Sequence, residues 1–296
     1  MIKSFIITNY VGETLVLPLN DFSKSGIVIT NVEGIGPVEA TINTTDYAAL
    51  DGGFFNSSRV NNRNIVMTLR PMELPTVEET RHKIYRFFPV KRQVKIEVIT
   101  DTRDVVAIGY VESAEPVIFS KEEEVEVSII CPDPYFYSAS YYSIAFIGAE
   151  EMFEFPLMNE GALPTLIMGE VRENNIRTIE YRGDYDIGLD LHLVFRGEAT
   201  GIRVHNLENN TFLTVDETKI FDGIQPLDEL VIITRRGAKN AYIIRNGDMI
   251  NAINAIDINS DWLELHIGTN TIVFTAETGQ DNVEFSVEYP IAYEGV

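Results

Sequence analysis

Cysteine is almost absent from this sequence of 296 residues, which contains only Cys131. One thiol cannot form an intramolecular disulfide, and it excludes any metal site built from several cysteines. The chain is therefore expected to fold in a reducing cytoplasm. No run of about 18 apolar residues occurs either, so the sequence predicts no transmembrane helix.

Basic residues are scarce. The 23 lysines and arginines are outnumbered by 45 aspartates and glutamates, which gives a formal net charge of −22. Residues 1–140 carry 13 basic and 19 acidic residues, a net charge of −6, whereas residues 141–296 carry 10 and 26, a net charge of −16. Because such a surface repels nucleic-acid phosphates and anionic lipids, neither nucleic-acid binding nor membrane binding is predicted.

Motifs that carry catalysis are missing as well. The four histidines are scattered without the spacing of metal ligands, and no nucleophile elbow or phosphate-binding glycine loop occurs. The acidic run Glu122-Glu123-Glu124 could in principle serve a glycosidase, but nothing in the sequence places two carboxylates in one cleft. Cys131 ends an alternating strand, which favours a buried thiol. The sequence predicts no enzyme, no cofactor and no metal site.

Strands separated by turns account for most of what is present. Val94, Ile96 and Val98 alternate with polar residues before a turn at residues 101–104. This pattern predicts a β-hairpin over residues 91–110.

One helix is expected after Pro75. Thr76 and Glu79 have the spacing of a capping box, in which the two residues satisfy each other's backbone donors. The apolar residues that follow recur on one helical face, and Pro89 ends the pattern. That face comprises Val77, Ile84 and Phe88.

Residues 45–64 form an unusual polar stretch, which contains Phe54 and Phe55 between turn residues and the basic residues Arg59 and Arg63. A connection of this length predicts either a long functional loop or an exposed hairpin arm. Two interpretations of the phenylalanines stay open at this point. They contact another subunit, or they fold back onto their own core.

A domain boundary is predicted after Tyr137, because Pro132 and Pro134 stiffen the chain where the first set of strands ends. The boundary divides the sequence into residues 1–137 and residues 138–296. Short strands then follow at the spacing of a β-sandwich. They are predicted at residues 163–168, 176–181, 189–195, 212–215, 230–234, 242–245, 263–267, 271–275 and 283–289.

Several segments, taken in order, resemble the distal tail protein family of long-tailed bacteriophages and prophages. They span nearly the whole chain, and their order and spacing carry the resemblance more than any single motif. The segments are the opening strand region with Gly36 and Pro37, the loop 51–53, the strand 63–69, the helix with the hairpin 91–98, the junction 131–137 and the segment 262–272.

The resemblance implies a mainly β fold. Residues 1–137 would form an N-terminal β-sandwich-like ring domain with one helix and a protruding hairpin, and residues 138–296 a C-terminal galectin-like β-sandwich. It also implies a structural protein of the virion tail tip, or baseplate, that is made and assembled in the cytoplasm of the bacterial host. Six copies would form a homo-hexameric ring through which phage DNA passes without specific binding. The implied partners are the major tail tube protein, the tail-tip hub or tail-associated lysin protein, and receptor-binding proteins.

Candidates for contacts between subunits come from the polar stretch and from the hairpin over residues 91–110. They are Phe54, Phe55, Arg59, Arg63, Lys95 and Glu97. The only tryptophan, Trp262, is a candidate glycan contact, because an indole on a β-sandwich can stack on a sugar ring. No clear set of polar sugar ligands surrounds it in the sequence.

Two other functions compete with the ring. One is a carbohydrate-binding adhesion module that contacts the host cell wall, which predicts wall binding that falls on Trp262→Ala. The other is a polysaccharide-cleaving enzyme, which predicts loss of activity on removal of one pair of carboxylates. The ring predicts a hexamer without activity.

Overall fold

The computed structural model describes residues 1–48, 51–151, 169–173 and 175–296. The chain divides into two compact units. The first unit is formed by Met1–Ser140 together with Ala292–Val296, and the second unit by Tyr141–Ile291. No signal in the sequence pointed to the return of the last residues to the first unit. The strand predicted at residues 163–168 lies outside the described residues.

Short strands make up most of both units. The elements of the first unit are β1 (Ile2–Thr8), β2 (Thr14–Pro18), β3 (Ile27–Glu33), β4 (Ala40–Asp46), β5 (Gly53–Val60), β6 (Arg63–Pro71), α1 (Val77–Phe87), β7 (Gln93–Thr100), β8 (Asp104–Val117), β9 (Glu124–Cys131) and β10 (Phe136–Ser138). The strands of the second unit are β11 (Tyr142–Ala145), β12 (Ile147–Glu151), β13 (Gly169–Glu173), β14 (Ile176–Tyr181), β15 (Ile187–Gly188), β16 (Asp190–Phe195), β17 (Ile202–Asn206), β18 (Thr211–Val215), β19 (Glu229–Ile233), β20 (Asn240–Arg245), β21 (Asp248–Asn251), β22 (Glu264–Leu265), β23 (Gly268–Thr275) and β24 (Val283–Tyr289). Three-residue 3₁₀ turns lie at Glu217–Lys219, Ile253–Ala255 and Gln280–Asn282, and β25 (Ala292–Tyr293) ends the series in the first unit.

The first unit is built on one antiparallel sheet in the order β2-β1-β7-β8-β9-β6-β3, which β10 joins by pairing with β8 and with β25. Alternate residues point into a common core, as the buried residues Val94, Ile96 and Val98 of β7 illustrate. The end strands β2 and β3 approach each other, so the sheet curls around this core. The hairpin predicted over residues 91–110 is confirmed by the pairing of β7 with β8.

The single helix of the described residues begins where the sequence predicts. Thr76 is its N-cap, and the Thr76 hydroxyl accepts a hydrogen bond from the backbone N–H of Glu79 at 3.2 Å. Ile84 and Phe88 are buried in the core of the first unit, as expected for its apolar face. The capping residues therefore set the start of the helix, and the apolar face fixes it to the sheet.

The second unit is a β-sandwich. Its two main sheets have the orders β11-β24-β16-β19-β20-β21 and β14-β23-β17-β18. Phe274 of the smaller sheet stacks on Phe285 of the larger sheet, with 5.1 Å between ring centroids, so the two sheets pack face to face. The predicted class, mainly β with one helix, is confirmed in the described residues. The galectin-like character of this sandwich stays a prediction.

Candidate assembly surface

The hairpin of β4 and β5 is the most exposed element of the first unit. It forms a two-stranded sheet of its own, in which Ala40 lies opposite Val60 and Asp46 lies opposite Gly53. All residues of both strands are exposed. Phe54 and Phe55 are 59% and 57% exposed, so they do not fold back onto their own core. The polar stretch of the sequence is thus an exposed hairpin arm.

The two faces of this hairpin differ. A register shift after Asn43 puts Ile42 and Phe55 on one face, with Ala40 and Val60. Ile42, Phe55 and Val60 are exposed there, which makes this the apolar face of the hairpin.

Polar side chains occupy the opposite face and bond to each other across the strands. The Asn43 amide donates to the Ser57 hydroxyl at 3.0 Å, and the Asn56 amide donates to the Thr45 hydroxyl at 2.7 Å. Arg59 lies on this polar face, opposite Thr41. These polar groups satisfy one another, but Phe54 also lies on this face, opposite Thr45, and remains in water like the apolar face.

Arg63, the next candidate along the chain, is buried and only 1% exposed. Its guanidinium stacks on the ring of Phe136, 4.3 Å from the centroid. It donates hydrogen bonds to four backbone carbonyl oxygens. These are Pro134 at 2.7 Å, Gly34 at 2.5 Å, Gly36 at 2.7 Å and Glu294 at 2.6 Å. A side chain held inside its own chain cannot contact a neighbour, so the prediction of Arg63 as a subunit contact is wrong.

The backbone around Arg63 is shaped for these bonds. Gly34 has φ +79°, and a Cβ at this position would collide with the carbonyl oxygen of Asn64. Only glycine fits there, and the turn that results aims the Gly34 carbonyl at the guanidinium. Arg63 therefore joins β6, the turn 34–36, the junction at Pro134 and the C-terminal segment into one body.

Cys131 lies opposite Arg63 in the register of β6 and β9 and is fully buried, as the sequence predicts. Burial raises the pKa of its thiol to about 11. We expect the folded chain to resist an aromatic disulfide reagent at about pH 8, because thiolate is the reacting form and access is blocked. The same reagent should titrate one thiol in concentrated guanidinium chloride. A native chain that reacts as fast as the unfolded chain would contradict the buried position.

Lys95 and Glu97 lie on the outer face of β7. The Lys95 ammonium is 3.5 Å from the Glu97 carboxylate, and both side chains are partly exposed. An exposed ion pair of this kind contributes little to stability. Lys95 lies opposite Ile108 of β8, which is also exposed, so this face remains available to another chain.

Trp262 of the second unit is partly exposed. The ammonium of Lys239 lies 5.3 Å from its ring centroid, so a cation already covers one face of the indole. Its assignment as a glycan contact stays a prediction.

Two histidines of the second unit lie beside carboxylates, and His205 lies against the ring of Phe212. Nδ1 of His192 is 2.8 Å from Glu229, and Nδ1 of His266 is 2.7 Å from Asp186. Burial lowers the pKa of His205. In the part of the chain that the structure describes, no three side chains of the His, Cys, Asp and Glu types lie close enough to hold a metal ion. No helix of these same residues is long and apolar enough to span a bilayer.

Comparison with known proteins identifies the second unit. Residues 182–293 match the family model described as the siphovirus-type tail component, C-terminal domain. The second unit is therefore similar to the C-terminal domain of siphovirus-type tail components. This family match, together with the fold, confirms the resemblance to distal tail proteins that the sequence motifs indicate. No curated protein sequence matches the chain.

Solved structures extend the likeness in fold to nearly the whole chain. The crystal structure of the SPP1 Dit (gp 19.1) protein, described as a paradigm of the hub adsorption apparatus in phages that infect Gram-positive bacteria, has a TM-score of 0.67 at 14% identity. The likeness covers 98% of this chain and 99% of that chain. A chain of the phage P2 baseplate in its activated conformation with Ca has a TM-score of 0.53 at 12% identity, and covers 97% of this chain and 98% of that chain. A third chain, from the same baseplate with Sr, has a TM-score of 0.51 at 12% identity, with 97% of both chains covered.

The structure also shows exposed apolar residues that the sequence did not indicate. Phe119, at the turn between β8 and β9, is fully exposed. Its turn is held by ion pairs of Arg70 with Glu122 at 2.8 Å and of Arg81 with Glu123 at 2.6 Å. The three carboxylates of the acidic run are therefore paired with arginines. The break in the alternation of β8 at residues 117–119 is the signal that could have revealed this turn.

Proposed function

We propose that this protein is a structural component of a phage tail tip, in which six copies close into a ring. The ring joins the major tail tube protein to the tail-tip hub or tail-associated lysin protein, and it holds receptor-binding proteins. The protein acts by binding and not by catalysis. The likeness in fold to the SPP1 Dit protein and to a chain of the P2 baseplate supports this proposal.

The hairpin of β4 and β5 carries the ring in this proposal. An isolated two-stranded hairpin has little stability of its own in water. The apolar face of this hairpin leaves Ile42 and Phe55 in solvent. A neighbouring copy that covers this face makes a head-to-tail contact, and such contacts generate a ring when the rotation between copies closes. The first unit thus forms the ring, and the second unit forms the adaptor.

The charge of the chain is compatible with this role. A net charge of −22 disfavours adhesion to the phosphate backbone, so DNA can pass through the channel of the ring without specific binding. The same role places the protein in the virion, at the tail tip.

Removal of the two most exposed apolar side chains of this face, Ile42→Ser together with Phe55→Ser, is expected to abolish the ring. Burial of one such side chain contributes about 1.5–3 kcal/mol. Loss of two therefore weakens each subunit contact by more than about 100-fold. Native mass by light scattering and negative-stain images provide the measurement, and the wild-type chain should form six-fold rings.

Phe221→Ser is the matched control, because Phe221 is an equally exposed aromatic residue of the second unit. It should leave the ring intact. Rings that persist in the double hairpin variant would refute the role of the hairpin. A wild-type chain that is monomeric in solution and also at purified tail tips would refute the ring itself. Cell-wall binding that disappears on Trp262→Ala would instead favour the adhesion module.

A further inference from the structure

The loop at residues 220–228 of the second unit presents two large apolar side chains to solvent. Phe221 is 69% exposed and Leu227 is 84% exposed. The loop follows the 3₁₀ turn Glu217–Lys219 and leads into β19. Its flanks are firmly fixed, since Ile220 and Leu230 are buried. The exposed pair therefore projects from a well-anchored base.

The backbone of this loop is strained at Leu227, which has φ +73°. Bulky L-residues avoid the left-handed region because their Cβ crowds the following carbonyl. Asp222 is also left-handed, with φ +57°. Leu227 gains no compensating burial within this chain, because its side chain lies in water. Strain of this kind persists only where the surrounding structure fixes it, and it is concentrated at functional sites.

One arginine, Arg245, makes most of the side-chain hydrogen bonds that hold this loop in place. Nε and Nη2 of Arg245 donate to the two carboxylate oxygens of Asp228, at 2.9 and 2.7 Å. The same guanidinium donates to the carbonyl oxygens of Phe221 at 3.3 Å and Gly223 at 2.6 Å. Both ends of the loop thus meet at a single side chain.

The strand β16 holds the loop from a second direction. The backbone N–H of Leu227 donates to the carbonyl oxygen of Phe195 at 2.6 Å, and the N–H of Phe195 donates to the carbonyl oxygen of Asp228 at 2.9 Å. The strained residue is therefore bonded at its own backbone. The loop is already in the conformation in which it displays Phe221 and Leu227, so binding would not incur the entropy cost of ordering it.

We infer that this loop, with Phe221 and Leu227 at its surface, is a docking knob that inserts into an apolar cleft of another protein of the tail. The negative charge of the loop indicates that the rim of the partner's cleft is basic. Residues 216–229 contain five acidic residues and one basic residue, Lys219, whose ammonium pairs with Asp216 at 3.0 Å. Arg245 is engaged by Asp228, so the excess charge around the knob is negative.

A second copy of the unit that carries this loop is a poor occupant, because residues 141–296 have a net charge of −16, which repels the acidic loop. An apolar anchor surrounded by complementary charge is the usual anatomy of a tight contact between different proteins. The inference rests on the proposed function, because the partner is sought among the proteins of the tail.

The test uses tails assembled from the complete set of tail proteins, with the photo-cross-linker p-benzoylphenylalanine in place of Leu227. Ile258 provides the matched control position, because it is an apolar residue of the same unit and is 94% exposed. We expect a cross-link from position 227 to a different tail protein, at least about tenfold stronger than from position 258. Mapping of the cross-linked peptide should find lysine or arginine beside it.

Binding of the purified cross-linked partner then measures the contribution of the knob. Leu227→Asn removes the apolar group but tolerates a positive φ, so the loop keeps its shape. It should weaken binding at least about tenfold, whereas Ile258→Asn should not. An unchanged thermal unfolding midpoint shows that the variant is folded.

A cross-link from position 227 to a second copy of this chain would overturn the inference, since the loop would then be a contact between copies. Absence of any cross-link in tails that contain the protein would overturn it as well. Intact six-fold rings in either case would leave the proposed function standing. Absence of the protein from purified tails would overturn both.

Discussion

Arg63→Met is expected to lower the free energy of unfolding of the first unit by about 3–5 kcal/mol, the range for removing one partner of a buried charged network. The substitution leaves the carbonyl oxygens of Gly34, Gly36, Pro134 and Glu294 without their donor. Each buried carbonyl that loses its hydrogen bond costs about 1–3 kcal/mol unless water reaches it. Methionine retains the apolar contact with Phe136, so the loss reports mainly on the hydrogen bonds.

Urea unfolding monitored by far-ultraviolet circular dichroism measures this effect. The single tryptophan, Trp262, lies in the second unit, so its fluorescence follows that unit as an internal reference. Arg59→Met is the matched control, because Arg59 is exposed on the hairpin, and it should change stability by no more than about 0.5 kcal/mol. The stability of the Arg63→Lys variant should lie between those of Arg63→Met and Arg59→Met, because an ammonium lacks the planar fork of the guanidinium. Equal stability of the Arg63→Met and Arg59→Met variants would contradict this account.

The second large effect is expected at the ion pair between Asp228 and Arg245, which fixes the loop at residues 220–228. The side chains of Asp228 and Arg245 are 2% and 11% exposed. Burial raises the pKa of Asp228, but the hydrogen bonds from Arg245 and the Gln225 N–H outweigh it, so the net pKa is lowered below its ordinary value of 3.8. Arg245→Met removes the partner and should destabilise the second unit by about 3–5 kcal/mol near neutral pH.

The pH dependence should reverse with this substitution. A carboxylate with a lowered pKa stabilises the fold above its unfolded pKa, and this contribution is lost as the pH falls through the folded value. In the Arg245→Met variant, burial without a partner raises the pKa of Asp228, so stability falls as the pH rises through that raised value. The difference in free energy of unfolding between the wild type and the Arg245→Met variant should therefore become smaller below about pH 4.

Urea unfolding followed by Trp262 fluorescence, repeated from acid to neutral pH, provides this measurement. The double variant Asp228→Asn with Arg245→Met is the control, because no carboxylate remains to titrate at this position. It should be more stable than Arg245→Met at neutral pH. If the free energies of unfolding of the wild type and the Arg245→Met variant differ by the same amount across the whole pH range, the destabilisation does not come from Asp228.

Local signals in the sequence predicted local structure well. The capping pair Thr76 and Glu79 placed the start of α1, and the period of two in residues 94–98 placed β7. Both depend on neighbours within a few residues of the chain, which a sequence displays directly. The polar composition of residues 45–64 likewise indicated an exposed arm.

Contacts between residues far apart in the chain could not be predicted from the sequence. Arg63 lies beside Asn61, Asn62 and Asn64, and arginine is rarely buried, so its position favoured the surface. Its four carbonyl partners come from three distant segments, and one of them, Glu294, is 231 residues away. The loop at residues 220–228 was missed for a similar reason. Nothing near Leu227 in the sequence shows that Phe195 and Arg245 hold this loop.

The pairing of β10 with β25 has a consequence for how the chain is organised. Phe136 lies opposite Tyr293, and Tyr137 lies opposite Ala292, so the chain leaves the first unit and re-enters it at neighbouring positions. The second unit is thus an insertion whose two ends are held side by side by the host sheet. A short linker between residues 138 and 292 would close the first unit without it. A protein built on this plan can exchange its second unit for another domain and leave the fold of the first unit unchanged.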